Sequence, residues 1–144
     1  TELRDRDSIG LALTAAETGH LVLGTLHTGS AAQTVGRLIH AFPADEQGQV
    51  RSTVAESLRA VVSQRLVPRA DGPGRVLAIE LLIVTPAVSN LIREEKEFQL
   101  GMLMQTGKGQ GMITLDDSLA DLVARGSIDK DQARRFAENR ERFR

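Results

Sequence analysis

Apolar positions near the start of the chain recur at helical spacing. Ile9, Ala12, Leu13 and Ala16 share one face, Asp5 and Asp7 precede it where they favour the positive end of a helix dipole, and Gly19 follows as a stop. These positions predict a helix. From Leu21 to Leu26 the chain is apolar on both alternating faces and bounded by turn residues, which predicts a short buried strand of the parallel kind. Ser30 with Gln33 three residues on is a capping-box pair, opening a helix that runs to about Ala41 and is ended by Phe42-Pro43. Val50, Val54, Leu58, Val61 and Val62 give a third helical stripe. After the turn-rich "PRADGPG", the run "RVLAIELLIV" from Arg75 to Val84 predicts a strand, able to form a hairpin with the "RLV" before the turn. Thr85-Pro86 starts another helix with Val88, Leu91 and Ile92 on its buried face. Two more follow: one from about Leu115 to Arg125 stopped by Gly126, and one opened by Asp129 with Gln132 as reciprocal cap. The final "RRFAENRERFR", with five arginines and two glutamates, reads as a solvated, fraying helix end.

Composition adds exclusions. The 144 residues are 41% hydrophobic and 26% charged, the make-up of one globular domain rather than a disordered or fibrous chain. Eighteen basic and nineteen acidic residues leave a net charge of -1, so no global field recruits nucleic acid or an anionic membrane. The absence of cysteine rules out disulfides and thiolate zinc sites. Apolar runs are short and no charged-then-apolar leader opens the chain, which speaks against secretion and membrane insertion. The opening "TELRDRDSIG" has no methionine and reads as a cut end.

Candidate chemistry centres on two of the three histidines. His20 and His27 flank the predicted strand; seven extended residues span roughly 23 Å and an odd separation points their side chains to opposite faces, so one metal ion cannot take both. His27 lies at the carboxyl end of the strand, the edge where open parallel sheets bind ligands. A histidine there either contacts a ligand or satisfies a strand-end hydrogen bond. His20 is read as structural or interfacial, and His40 as a favourable charge at a helix end. "TGKGQG", Thr106 to Gly111, fails as a phosphate loop: the residue five before Gly107 is Met102, and Lys108 is followed by Gly109. It reads as a connector. Glu80 interrupts an apolar strand and is expected to face solvent at an edge or to pair with a cation. Glu2 is an acid followed by a helix, and at the tip of a strand an acid can orient the water that attacks a γ-phosphate. Arg93, Glu94, Glu95 and Lys96 read as a polar helix face.

Three stretches in this order resemble the secretion-type ATPases and, within them, the type IV pilus retraction (PilT-type) motors. "ELRDRDSIGLALTAAETGHLVLGTLHT" resembles the end of a Walker B segment with its His box, "FPADEQGQVRSTVAESLRAVVSQRLVPR" the following helix, and "PAVSNLIREEK" the retraction signature. The resemblance implies an α/β fold. Residues 1–84 would form the C-terminal portion of a RecA-like P-loop ATPase core, and 85–144 a C-terminal helical bundle carrying the signature. It also implies a cytoplasmic, usually hexameric ring, peripheral to the inner membrane, that works on a pilus platform protein there and neither binds nucleic acid nor inserts into the membrane. ATP and Mg2+ would serve the intact motor. The Walker B glutamate that activates water carries onto Glu2, the His-box histidines onto His20 and His27, and the signature onto Asn90, Leu91, Ile92, Arg93 and Glu94. The chain departs from the family at Thr1, where glycine is usual, and at Ser89, where arginine is usual. With no phosphate loop in these residues, no nucleotide-binding segment, cofactor or metal ligand set is expected of the fragment, which should not hydrolyse ATP alone. A second reading is a non-enzymatic assembly module derived from such an ATPase. Too few strands are visible for a complete core, so an exposed edge is expected.

Overall fold

The computed structural model describes residues 2–144, so the threonine at position 1 lies outside the described residues. The elements are α1 (Arg6–Glu17), α2 (Ala31–His40), α3 (Gln47–Ser57), β1 (Ala60–Pro68), β2 (Arg75–Ile83), α4 (Pro86–Arg93), α5 (Leu100–Thr106), α6 (Leu115–Ala124) and α7 (Lys130–Phe136). Short 3-10 turns occupy Glu97–Gln99, Gly107–Gln110 and Arg140–Phe143.

Five helices begin where a side-chain oxygen satisfies an otherwise unpaired N–H. Asp5 accepts from the Ser8 amide at 2.8 Å while the Ser8 hydroxyl accepts from the Asp5 amide, a reciprocal box that opens α1. Ser30, Thr85, Thr114 and Asp129 cap α2, α4, α6 and α7 in the same way. The two expected reciprocal partners do not return the bond. Gln33 takes the Gly29 amide instead, at 2.8 Å, and Gln132 Oε1 is buried without a hydrogen-bond partner among the described residues.

The third helix is shorter than its apolar stripe suggests. It ends at Ser57, Leu58 turns extended with ψ 132, and Val61 and Val62 lie on β1. Pairing with β2 decides the matter: nine residues on each strand align antiparallel from Ala60↔Ile83 to Pro68↔Arg75. Val61, Ser63, Val67, Ala78, Glu80 and Leu82 form the hairpin's buried face, and Val62, Leu66 and Leu77 are exposed on the other. The free edge of β2 is bound by Ile113, which exchanges two backbone hydrogen bonds with Leu81 at 2.8 and 3.0 Å, and by the Ser118 hydroxyl at the Ile79 amide.

The expected buried strand from Leu21 to Leu26 is not one. Among the described residues the segment forms no strand and makes one parallel bridge, Glu2↔Thr25, while Leu21 and Leu23 are 85% and 78% exposed. A run apolar on both faces needs cover on both. Among the described residues its cover is the Leu3 side chain against Gly24 and the packing of Leu26 on the main core.

The interior divides into two apolar clusters. The larger joins Ile9, Val35, Val54, Leu82, Ile92 and Met104; the smaller joins Val67, Ala78, Leu115, Leu119, Ile128 and Phe143. The last residues are therefore anchored rather than fraying: Ala137 and Phe143 are buried, and Asp116 accepts from the Glu138 and Asn139 amides at 2.9 Å each. The segment Thr106–Gly111 is an ordered turn, with Gly111 at φ 88 and Lys108 paired to Asp117 at 3.0 Å. Among the described residues, no helix is long and apolar enough to cross a membrane.

Candidate functional site

Backbone pairing builds the site. Leu3 donates to the Thr25 carbonyl at 2.8 Å, so the chain before α1 runs parallel to the extended segment before α2. The approach is close at Gly24, where a Cβ would lie 2.7 Å from Leu3 Cδ1 and the Leu3 side chain would have to shift. This pairing brings Glu2, at the start of the first segment, beside His27, at the carboxyl end of the second. His27 Nε2 lies 3.0 Å from Glu2 Oε1, and Arg4 Nη2 donates to Glu2 Oε2 at 2.6 Å. The Arg4 guanidinium holds the Glu2 carboxyl below the usual carboxylate range, burial opposes this, and His27 adds to the lowering. Glu2 is thus an anion at neutral pH, able to accept a proton or orient water. The His27 side chain is 90% exposed and projects from this end of the molecule.

The turn between His27 and α2 is heavily bonded. Thr34 Oγ1 donates to the Ser30 carbonyl at 2.9 Å, which makes the Thr28 hydroxyl the donor in the 2.7 Å contact between the two threonines. The hairpin reaches it twice. Glu80 Oε1 accepts from the Ala31 amide at 2.6 Å, and Arg65 Nη2 donates to the Gly29 carbonyl at 3.1 Å. Glu80 therefore neither faces solvent nor relies on a cation: it is 6% exposed and binds a backbone N–H. Burial pushes its carboxyl upward, the Ala31 bond and Arg65 oppose this, and Glu138 and Asp116 add to it.

His20 is placed elsewhere. Its Nδ1 lies 3.1 Å from Thr18 Oγ1 and 3.2 Å from the Ala15 carbonyl, at the carboxyl end of α1 and apart from the Glu2–His27 contact. His40 ends α2 and is exposed.

The signature residues divide by direction. Ile92 is buried and Leu91 half-buried, whereas Asn90, Arg93 and Glu94 are exposed. Beyond Arg93 there is no continued polar helix face. Glu95 takes φ 59, the Glu95 and Lys96 amides donate to the Ile92 and Leu91 carbonyls, and the chain reverses. Ser89 donates to the Ala55 carbonyl at 2.7 Å and lines an open groove of about 390 Å³ with Glu56, Arg59, Asn90 and Arg93. Among the described residues, no group of three or more His, Asp or Glu is placed to hold a metal ion.

Comparison with known proteins places the chain in a family. The model of the family described as type II/IV secretion system protein matches residues 1–76. The chain is 56% identical over 140 residues to a twitching motility protein of Neisseria gonorrhoeae, covering 97% of this chain and 37% of that protein. It is 54% identical over 142 residues to the type IV pilus retractation ATPase PilT of Pseudomonas aeruginosa, covering 99% and 41%. Among solved structures, the pilus retraction motor PilT with bound ADP superposes with TM-score 0.86 at 42% identity, covering 98% of this chain and 39% of that one. The ATPase DotB of Legionella pneumophila gives 0.78 at 29% identity, covering 92% and 36%. The chain thus spans about two-fifths of the length of the relatives it matches. It has the α/β fold of these ATPases, a small sheet with helices around it, and it belongs to the type II/IV secretion system protein family, with a PilT-type resemblance along nearly its whole length.

Proposed function

We propose that this chain is the C-terminal part of a PilT-type motor, a hexameric cytoplasmic ATPase that hydrolyses ATP to retract type IV pili by acting on a platform protein of the inner membrane. In this reading residues 1–84 belong to the RecA-like core and 85–144 form the helical region that carries the retraction signature. The observation that carries it is the Glu2–His27 contact, an ionised carboxylate beside an exposed imidazole at the carboxyl end of the segment that leads into α2.

ATP with Mg2+ supplies the transferable γ-phosphoryl group. The residues fit a place beside it: Glu2 is acceptor-only, and His27 and Arg4 offer N–H groups from exposed positions. Glu2 orients the attacking water and takes its proton, and Arg4 keeps the carboxylate charged and turned toward this end. His27, bonded to Glu2 through Nε2, links the state of that carboxylate to the turn that leads into α2. His20 acts at one remove, through the end of α1. The exposed Asn90, Arg93 and Glu94 contact the partner while Leu91 and Ile92 anchor α4. The phosphate loop and metal ligands come from elsewhere in the intact protein, so the 144-residue chain alone hydrolyses nothing.

The test uses the full-length protein carrying this chain. Glu2→Gln keeps the shape and removes the base, and should lower magnesium-dependent hydrolysis by about 10²- to 10⁴-fold while ATP binding persists. Undiminished turnover in that variant would overturn the reading.

A further inference from the structure

The polar residues on the hairpin's otherwise apolar face have a role that the Glu2–His27 contact leaves open. Ser63, Arg65 and Glu80 lie together on that face, since Ser63 pairs with Glu80 and Arg65 with Ala78 across the strands. Two of them reach the turn after His27. We infer that Glu80 and Arg65 are positioning residues that clamp the Thr28–Ser30 turn and thereby fix the direction in which His27 is presented; this rests on the reading of His27 as a nucleotide-side residue.

Ala31 is the first residue of α2, a position whose N–H has no acceptor within the helix. Ala31 is fully buried, so water does not replace the missing acceptor. Glu80 alone supplies it, from a residue 49 positions away. A buried carboxylate is costly where an apolar side chain would pack, and its presence at the centre of an apolar strand is explained by this one bond. Arg65 holds the carbonyl two residues earlier, and a Cβ on Gly29 would lie 2.8 Å from Arg65 Nη2 and 2.8 Å from Gln33 Oε1, so the turn is seated closely on the clamp. The two bonds act on both sides of Ser30, between His27 and the first turn of α2. They fix a backbone donor and a backbone acceptor at once, which sets the rotation of the turn as well as its position. On its far edge β2 is bonded to Ile113 and Ser118, so the clamp stands on a fastened strand. Ser30 and Glu80 together satisfy the Gln33 and Ala31 amides, and the His27 side chain, 90% exposed, projects beside the turn so held.

The test compares Glu80→Ala, Glu80→Gln and Arg65→Gln in the full-length protein, reading hydrogen exchange in the segment from Thr28 to Val35 and, separately, kcat and KM for ATP. Glu80→Ala should speed exchange at the Ala31 amide by about tenfold or more. It should also lower kcat by about tenfold or more, with KM for ATP nearly unchanged, because the turn is misplaced rather than the nucleotide lost. Glu80→Gln retains an acceptor oxygen and should restore both. Arg65→Gln, at an exposed position, keeps the fold and should speed exchange around Gly29. Wild-type exchange in Glu80→Ala, or a Gln variant as impaired as the Ala variant, would overturn the clamp. Should Glu80→Ala not fold, unchanged exchange in Arg65→Gln does the same. The exchange readout needs no turnover, so a wild-type protein that hydrolyses no ATP would sink the proposed function while leaving the clamp to be judged by exchange.

Discussion

Asp117 shows how one carboxylate fastens the end of the chain. It lies in the first turn of α6, accepts from Arg142 at 2.7 Å and pairs with Lys108 at 3.0 Å. Partial burial raises its pKa, but Lys108, Arg142 and the Thr114 hydroxyl outweigh that and leave it lowered. A carboxyl whose folded value is depressed stabilises the fold above its unfolded value, about 3.9, and the contribution is lost as pH falls through the folded value. Asp117→Asn should therefore destabilise the chain by roughly 1 kcal/mol at pH 7, with the gap to wild type closing in acid as the pH falls through the lowered folded value. Urea titrations at the two pH values measure it, and a gap independent of pH would show that the pairs with Lys108 and Arg142 contribute nothing. The arginine-rich ending looked solvated because its partners, Asp116 and Asp117, lie more than twenty residues upstream.

At the scale of elements, legibility follows how local the deciding interaction is. Helices α1, α2, α4, α6 and α7 carry a cap and an apolar face within one short window, and each was readable from its residues. The hairpin was readable from its turn, but β1 begins at Ala60, inside an apparent helical stripe, because the cross-strand ladder overrides local periodicity. The short helix α5 has no side-chain cap and was not foreseen. The same distinction holds at the site. His27 stood out at the end of an apolar run, Glu2 gained its meaning from the family resemblance, and the acceptor role of Glu80 depends on an amide 49 positions away.

The end of α4 illustrates an element held from outside. Glu95 occupies the left-handed position that glycine usually takes, and Arg51 of α3, nearly buried, donates to the Ile92 carbonyl at 2.9 Å and pairs with Glu97 and Glu95. Arg51→Met should cost about 3 kcal/mol, since Glu97 is left half-buried without its partner and the Ile92 carbonyl loses one of its donors. Equilibrium urea unfolding of the two chains checks this, and a change within about 0.5 kcal/mol would show that the reversal after α4 holds itself.

For the molecule as a whole, the question is whether its two apolar clusters unfold together. The hairpin belongs to both: its buried face gives Val61 and Leu82 to the larger cluster and Val67 and Ala78 to the smaller, with Ser63 and Glu80 between them. Each strand thus runs through both interiors, and a backbone ladder of nine residue pairs cannot lose one half without exposing apolar surface in the other. Pairing of Leu81 with Ile113 ties the link between clusters once more. The four phenylalanines provide reporters, since Phe42 packs on the larger cluster, Phe136 and Phe143 belong to the smaller, and Phe98 is 78% exposed. With fluorophenylalanine incorporated throughout, fluorine resonances of Phe42 and Phe143 should lose their folded signals at the same urea concentration, within about 0.2 M, as expected of a two-state domain. Phe98 serves as the solvent-exposed control. Leu82→Ala removes a fully buried side chain from the larger cluster alone and should lower both midpoints together, by an amount corresponding to about 3 kcal/mol. Separate midpoints, or a Leu82→Ala shift confined to Phe42, would mean that the smaller cluster is an independent unit hung on the end of the hairpin, free to move while the Glu2–His27 end stays in place.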